Sequence, residues 1–384
     1  MSDVVGIEKI TDRAGTGAPD FTNGFNVAGS DSGISGFAHT ESANEPSSPS
    51  NGDAWLDTDN NIYKVYINGE WKDWLGTSAP ATTYFGDRAH WASGGRSHPS
   101  PGGNTTQIDY WDITSLGNAA DFGDCAGSSA GDCASDGTKI YYLGGGATTT
   151  QIEFWTSATL GNSADFGDTA TAAGQNIRAA SSNGSKCLYV PEQTGGSYST
   201  NIIEQFPTGT AGITATDFGD LTLSRWIGGT VNSSSRFVYG GGQNSSYAVQ
   251  NVMDYVAFDT AGNATDFGDL SVSRSFCAGI GSNETTRGLF AGGYSGSAAL
   301  DTIDYITIAT AGNATDHGNL LQTTYGAKGC ANASRAVIAG GIPADGSRIN
   351  TIQYTALTTA GNSVDFGDLS LVKYGGGSAS GAAS

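Results

Sequence analysis

Charge is scarce in this chain: 14% of its 384 residues are Asp, Glu, Lys or Arg, and 37 acidic residues face 17 basic ones for a net charge of −20. Nucleic-acid binding rests mainly on Lys and Arg facing phosphates, so this balance argues against a nucleic-acid partner. The acidity is spread along the chain rather than gathered in a tail, as expected of a surface kept soluble. Cysteine is also scarce, and odd in number: Cys125, Cys133, Cys187, Cys277 and Cys330. They form neither a disulfide framework nor a Cys-x-x-Cys zinc motif, so free thiols made in a reducing compartment are expected. The four histidines, His39, His90, His98 and His317, have no ligand spacing, and no metal or cofactor is expected. Long apolar runs are missing, which argues against membrane insertion, and Met1 to Glu8 lacks the basic start and apolar core of an export signal. A 3.6-residue apolar period is missing too, which argues against helical domains.

Glycine is plentiful, with 58 residues, and it recurs in register. The run Asp-Phe-Gly-Asp appears at Asp121 to Asp124, Asp165 to Asp168, Asp217 to Asp220, Asp266 to Asp269 and Asp365 to Asp368, with Asp316-His317-Gly318-Asn319 as a degenerate copy. The first Asp residues are 44, 52, 49, 50 and 49 positions apart, a period that marks a repeat architecture. Eleven positions before each of them stands an aromatic: Tyr110, Phe154, Phe206, Tyr255, Tyr305 and Tyr354. Upstream come short apolar runs closed by glycine pairs: Gly94-Gly95, Gly144-Gly145, Gly195-Gly196, Gly240-Gly241, Gly292-Gly293 and Gly340-Gly341.

Alternating β-type runs such as Thr302 to Ile308 fill the intervals, giving about four short strands per repeat, the pattern of a propeller blade. Leu369 to Gly377 reads as the first strand of a blade, and Arg88 to Gly95 as the second strand of a blade that lacks its first. The expected fold is therefore all-β: a six-bladed propeller over 81–384, closed by the C-terminal strand pairing with the first blade, which removes exposed strand edges.

The glycine pairs and the Asp-Phe-Gly segments, read as turns, resemble the kelch repeat over roughly residues 84 to 384. On that resemblance Phe122, Phe166, Phe218, Phe267 and Phe366 occupy the Trp position of the kelch blade, with His317 once in their place. A basic residue before the first strand recurs as Arg225, Arg274 and Lys373. Such a fold hosts many unrelated functions.

The first eighty residues differ. Residues 1–45 are polar and glycine-rich, and residues 46–80 hold a proline linker and a small β module with the hairpin dipeptide Asn68-Gly69. The pattern from Pro46 through Pro49, Gly52-Asp53, Trp55 and Asp57, with Lys64-Val65-Tyr66 and a final Gly69-Glu70-Trp71, is similar to small modules in tail-fibre and other appendage proteins of bacteriophages. Gly17-Ala18-Pro19-Asp20-Phe21-Thr22-Asn23-Gly24 looks like the N-terminal region of such proteins in marine phages. The resemblance implies a virion protein, assembled in the host cytoplasm, with residues 1–45 attached to other virion proteins and the propeller displayed outward. Its implied task is host-surface attachment; the alternatives are a decoration protein that binds no receptor and a glycan-active enzyme.

Catalysis is not expected, because the repeated Asp and Arg residues do not offer one place where different groups converge. Asp57 to Asn61 begins like a calcium loop but has Ile62 where an EF-hand turn needs Gly, so a hairpin turn is the expectation. Loops between second and third strands vary while the frame repeats. Tyr198, Tyr247, Tyr294 and His98 are the candidate ligand-binding residues there, the three tyrosines sharing a rim and suited to glycan or protein contact.

Overall fold

The computed structural model describes residues 39–42, 45–50, 53–57, 62–67, 70–73, 86–95, 103–127, 131–144, 150–170, 179–191, 199–281 and 286–383. They divide into two compact units, Met1–Ala81 and Thr82–Ser384. In the first unit, His39–Ser42, Ala54–Asp57, Ile62–Ile67 and Glu70–Asp73 form one sheet in that order. Ile67 pairs with Glu70, leaving two residues to reverse the chain, and Asp57 pairs with Ile62 in the antiparallel sense of a hairpin. Trp71 packs edge-on against Trp55 and Tyr66, at centroid distances of 5.5 and 5.3 Å. The sequence reading placed no strand within residues 1–45. The structure differs there: His39–Ser42 lies parallel to Ala54–Asp57, and the proline segment between them supplies the crossover a parallel pair requires.

The second unit is a six-bladed propeller. Each blade is a sheet of four antiparallel strands, a to d from the axis outward. Blade 1 comprises Gly377–Gly381, Arg88–Ala92, Gln107–Asp112 and Ala120–Asp124; blade 2 comprises Gly131–Ser135, Lys139–Gly144, Gln151–Thr156 and Ala164–Asp168. Blade 3 is Ala179–Ser182, Lys186–Val190, Thr200–Pro207 and Thr216–Arg225, and blade 4 is Gly229–Asn232, Arg236–Gly240, Val252–Ala257 and Thr265–Asp269. Blade 5 is Ala278–Ile280, Arg287–Ala291, Thr302–Thr307 and Thr315–Asn319; blade 6 is Lys328–Ala331, Arg335–Ala339, Thr351–Ala356 and Val364–Asp368. The ring closes as the split blade implied, but the closing strand is Gly377–Gly381, with Gly377 opposite Ala92 and Gly381 opposite Arg88, and Leu369 to Gly376 belongs to the connection ahead of it.

The repeated Asp-Phe-Gly-Asp run is explained by how one blade grips the next. Asp-Phe-Gly-Asp is not a turn but strand d, entered through a bulge. Its Phe is buried in the wedge against the following blade: Phe122 meets Trp155, Phe166 meets Phe206, Phe218 meets Val256, Phe267 meets Ile306, and Phe366 meets Trp111 across the closure. Its Gly admits a carbonyl from the next blade. A Cβ at Gly219 would stand 2.1 Å from the Gly262 oxygen, and one at Gly123 2.3 Å from the Gly161 oxygen, so no other residue fits. The Asn three positions before the first Asp reaches back: Asn162 accepts from Asp124 N–H, Asn263 from Asp220, Asn313 from Asp269, Asn362 from Asn319 and Asn118 from Asp368, each at 3.0 to 3.1 Å. Between blades 2 and 3 the same edge is covered by Ile213–Thr214, which runs parallel to Ala164–Asp168.

Three positions read from the sequence shift by one residue. In blade 3 one extra residue separates strands c and d, so Gln205, not Phe206, faces the position held elsewhere by Tyr110 or Tyr255; Phe206 is fully buried. The equivalent glycine pairs with positive φ are Gly241-Gly242, Gly292-Gly293 and Gly340-Gly341, matched by Ser93-Gly94 in blade 1. Gly240 instead ends a strand, and Gly95 forms bridges to Asn104 and Tyr374.

The basic residue that starts strand b stacks over the strand c aromatic in five blades: Arg88 on Tyr110, Lys139 on Phe154, Arg236 on Tyr255, Arg287 on Tyr305 and Arg335 on Tyr354. In blade 3 Lys186 lies over Phe218 instead. Several of these cations donate onward to the next blade, Arg88 to Ser157 O at 2.9 Å and Arg335 to Ile113 O at 2.9 Å. These are clamps between blades, which accounts for their repetition.

Candidate functional site

A third interlock concerns charge. The residue before the strand c aromatic, or before Gln205 in blade 3, is buried and polar in every blade: Asp109, Glu153, Glu204, Asp254, Asp304 and Gln353. Arg225 pairs with Asp254 at 2.9 Å, Arg274 with Asp304 at 2.5 Å and Lys373 with Asp109 at 3.0 Å, all side chains fully buried. Where the fourth position before strand a is Thr324, its counterpart is uncharged Gln353, which accepts from Leu321 N–H and Ser363 Oγ. Glu153 has no cation among these and accepts from Ala126 and Gly127 N–H and from Ser163 Oγ, while Glu204 accepts from the Tyr189 hydroxyl. The five carboxylates are thus spread over blades 1 to 5 and each is satisfied, a dispersed arrangement rather than a converging one.

Polar substitutions inside the wedges also come in contacting pairs. His317 replaces Phe where blade 6 offers Thr355, and His317 Nε2 lies 3.2 Å from Thr355 Oγ1. His90 occupies an apolar row, and its Nε2 lies 2.9 Å from Ser157 Oγ while Trp155 Nε1 donates to its Nδ1 at 3.2 Å. That donation leaves Nδ1 as acceptor and puts the proton on Nε2. Burial, helped by Arg88, lowers the His90 pKa from 6.5 to about 3. The unfolded chain therefore binds a proton below pH 6.5 that the folded chain refuses until about pH 3. Stability falls as pH drops through that window, by up to about 1.4 kcal/mol per pH unit for this residue. Denaturant midpoints measured between pH 7 and 4 should decline less steeply in His90→Gln than in the wild type; parallel declines would show that His90 is not the acid-sensitive group.

All five thiols are buried, and burial is the first cause that raises the pKa of each. Such thiols are poor nucleophiles at neutral pH. Among the described residues no group of three or more His, Cys, Asp or Glu could hold a metal ion. The a strands enclose a narrow channel with a cavity of about 50 Å³, lined by Asp132, Thr230, Gly279, Lys328 and Ser378 among others. Lys328 Nζ and Asp132 Oδ1, 3.1 Å apart, belong to blades 6 and 2 and reach past the Gly377 strand of blade 1.

The face built from variable loops is different in kind. The connection entering each of blades 4, 5, 6 and 1 pairs with the loop between that blade's b and c strands, through Trp226 with Gln243, Ser275 with Tyr294, Tyr325 with Ile342, and Tyr374 with Gly95. Both sets of loops therefore share one face. On it the rings of Tyr247, Trp226, Phe276, Tyr325 and Tyr294 touch in succession, at centroid distances of 6.4, 6.5, 6.0 and 5.4 Å. Tyr247 is 61% exposed and the other four are partly exposed. Arg348 lies over Tyr374 further along the same face.

Backbone strain gathers here. Ile227 and Phe276 have φ of 52° and 53° at the position where the next two connections use Gly326 and Gly375. Tyr247 has φ of 62°. A bulky residue in the left-handed region costs of order 1–2 kcal/mol, and such strain concentrates at functional positions.

Of the candidate residues, Tyr247 and Tyr294 lie on this face and are joined through Trp226, Phe276 and Tyr325. Tyr198 and His98 lie outside the described residues. The sequence reading missed Trp226, Phe276, Tyr325 and Tyr374 because it searched only the loops between b and c strands. The signal was present: Trp226, Tyr325 and Tyr374 each directly follow the fourth residue before a strand a. No family model matches this chain, and no curated protein matches it.

Proposed function

We propose that this chain is a bacteriophage virion component whose propeller contacts the host-cell surface without turning over a substrate. The observation that supports this best is the arc of five touching aromatic rings on one face, held partly on strained backbone. Rings of this kind offer flat apolar area with polar tips, and a surface of partly buried aromatics on a rigid frame binds with little loss of conformational freedom. The strands that carry it are locked blade to blade, so the recognition loops sit on an unyielding scaffold. The appendage-like pattern from Pro46 to Trp71 and the kelch-like blades support the virion assignment by resemblance.

The test is competition. Purified full-length chain, added to host cells before phage, should slow adsorption, and the variant carrying Trp226→Ala, Tyr247→Ala and Tyr294→Ala should not, while its near-UV circular dichroism still reports a folded ring. Loss of about 2 kcal/mol per central aromatic is the expected scale. Equal competition by wild type and variant would remove the arc from the account; absence of the chain from purified particles would remove the virion assignment.

A further inference from the structure

We infer that the aromatic arc takes an uncharged polysaccharide, held by stacking rather than by charge; this rests on the attachment reading above. The argument is the fate of the cations. Arg225, Arg274 and Lys373, which enter the propeller beside the arc in sequence, turn inward and are neutralised by Asp254, Asp304 and Asp109. Lys328 is taken by Asp132, and Arg348 is stacked on Tyr374. The cations that start the b strands point the other way along the blades, where Arg88, Lys139, Lys186, Arg236 and Arg335 clamp carbonyls of the next blade and Arg287 stacks on Tyr305. Among the described residues of this face, Arg348 is the cation that no carboxylate neutralises, and it lies over Tyr374, outside the five rings of the arc.

Negative charge on that face points the same way. Asp345, in the loop between strands b and c of blade 6, is exposed, and hydrogen bonds from Ser347 Oγ at 2.6 Å and Ser347 N at 2.9 Å hold its carboxyl below the usual range. It stays charged well into acid, and the chain as a whole carries −20. An anionic polymer would approach against this field, whereas a neutral sugar meets no such penalty. Its ring faces carry C–H groups that gain dispersion contact on an aromatic plane, and its hydroxyls keep partners at the tyrosine tips. Five rings in succession extend beyond one sugar, so the ligand class is a chain and not a monosaccharide.

Affinity electrophoresis of the full chain through gels containing dextran, galactomannan, xylan or a β-1,3-glucan, against gels with heparin, hyaluronate or polygalacturonate, separates the possibilities. Retardation by at least one neutral polymer is expected, unchanged between about 0.05 and 0.5 M salt, over which screening would abolish an ionic contact. Trp226→Ala and Tyr325→Ala should each weaken it about thirtyfold. Tyr247→Ala, at an exposed ring whose loss leaves the fold intact, should weaken it as well. Retardation confined to the acidic polymers and lost with salt would overturn the inference. So would neutral binding that survives all three substitutions. If no polymer binds while the chain still blocks phage adsorption, the glycan class falls and the attachment reading stands; if adsorption is unaffected too, both fall.

Discussion

Removing residues 369–384 should abolish cooperative unfolding of the propeller. The deletion takes away Gly377–Gly381, the innermost strand of blade 1, and leaves Arg88–Ala92 as an open edge beside the axis. It also removes Lys373, whose ammonium lies 3.0 Å from Asp109 in a fully buried pair, and Ser370, whose hydroxyl donates to the same carboxylate at 2.5 Å. A buried charge stripped of its partner costs about 3–5 kcal/mol by itself, against a total stability of about 5–15 kcal/mol for a typical domain. The wedge between blades 6 and 1 loses its closure at the same time, exposing a cluster that contains Trp91, Trp111 and Phe366. Calorimetry and near-UV circular dichroism should show a broad or absent transition with the tryptophan signal flattened. A sharp transition at the wild-type midpoint would mean that the C-terminal strand is not what holds the ring shut.

How much of this was legible depends on how far apart the partners stand. The blade count, the split blade and the burial of Phe122 and its equivalents follow from marks that recur at one spacing, and those needed no knowledge of contacts. The reason for the Asn and Gly marks was hidden, because they face the neighbouring repeat: Asn263 bonds Asp220, 43 positions away, and Gly219 is small to admit Gly262. Phe206 was misplaced because a one-residue insertion kept an aromatic at the expected distance by coincidence, and only the strand register separates it from Gln205. The aromatic arc was half visible. Tyr247 and Tyr294 stand in loops whose variability draws the eye, whereas Trp226, Phe276 and Tyr325 sit inside the repeated connections, next to the residues that anchor the charge network.

That network yields the sharpest test of the fold, because the protein contains both a charged and an uncharged version of it. Blade 5 uses Arg274 with Asp304 and has Ala314 in the loop before strand d; blade 6 uses Thr324 with Gln353 and has Ser363 at the matching place, donating to Gln353 at 2.6 Å. Blade 2, again without a cation, also has a serine there, Ser163, which donates to Glu153. Blades 1 and 4, which pair a cation with an acid, have Ala119 and Ala264 there, so in five blades the three positions change together, as expected of one satisfied unit; blade 3 departs, with Ala215 there and the Tyr189 hydroxyl donating to Glu204. Asp304→Gln alone should cost about 3–5 kcal/mol, since it leaves the Arg274 guanidinium buried without its counter-charge. Arg274→Thr alone should cost a similar amount, because Asp304 keeps the Ser271 N–H and Oγ as donors but loses its counter-charge, and the carbonyls of Gly292 and Thr302 lose the hydrogen bonds that Arg274 now gives at 3.2 and 2.9 Å. The triple variant Arg274→Thr, Asp304→Gln, Ala314→Ser installs the blade 6 solution in blade 5 and should recover most of the loss, coming within about 1–2 kcal/mol of the wild type by denaturant unfolding. Residues in one network are strongly non-additive, so the sum of the single losses should exceed the triple loss by several kcal/mol. Strict additivity would show that these side chains act independently and that their joint variation around the ring has another origin.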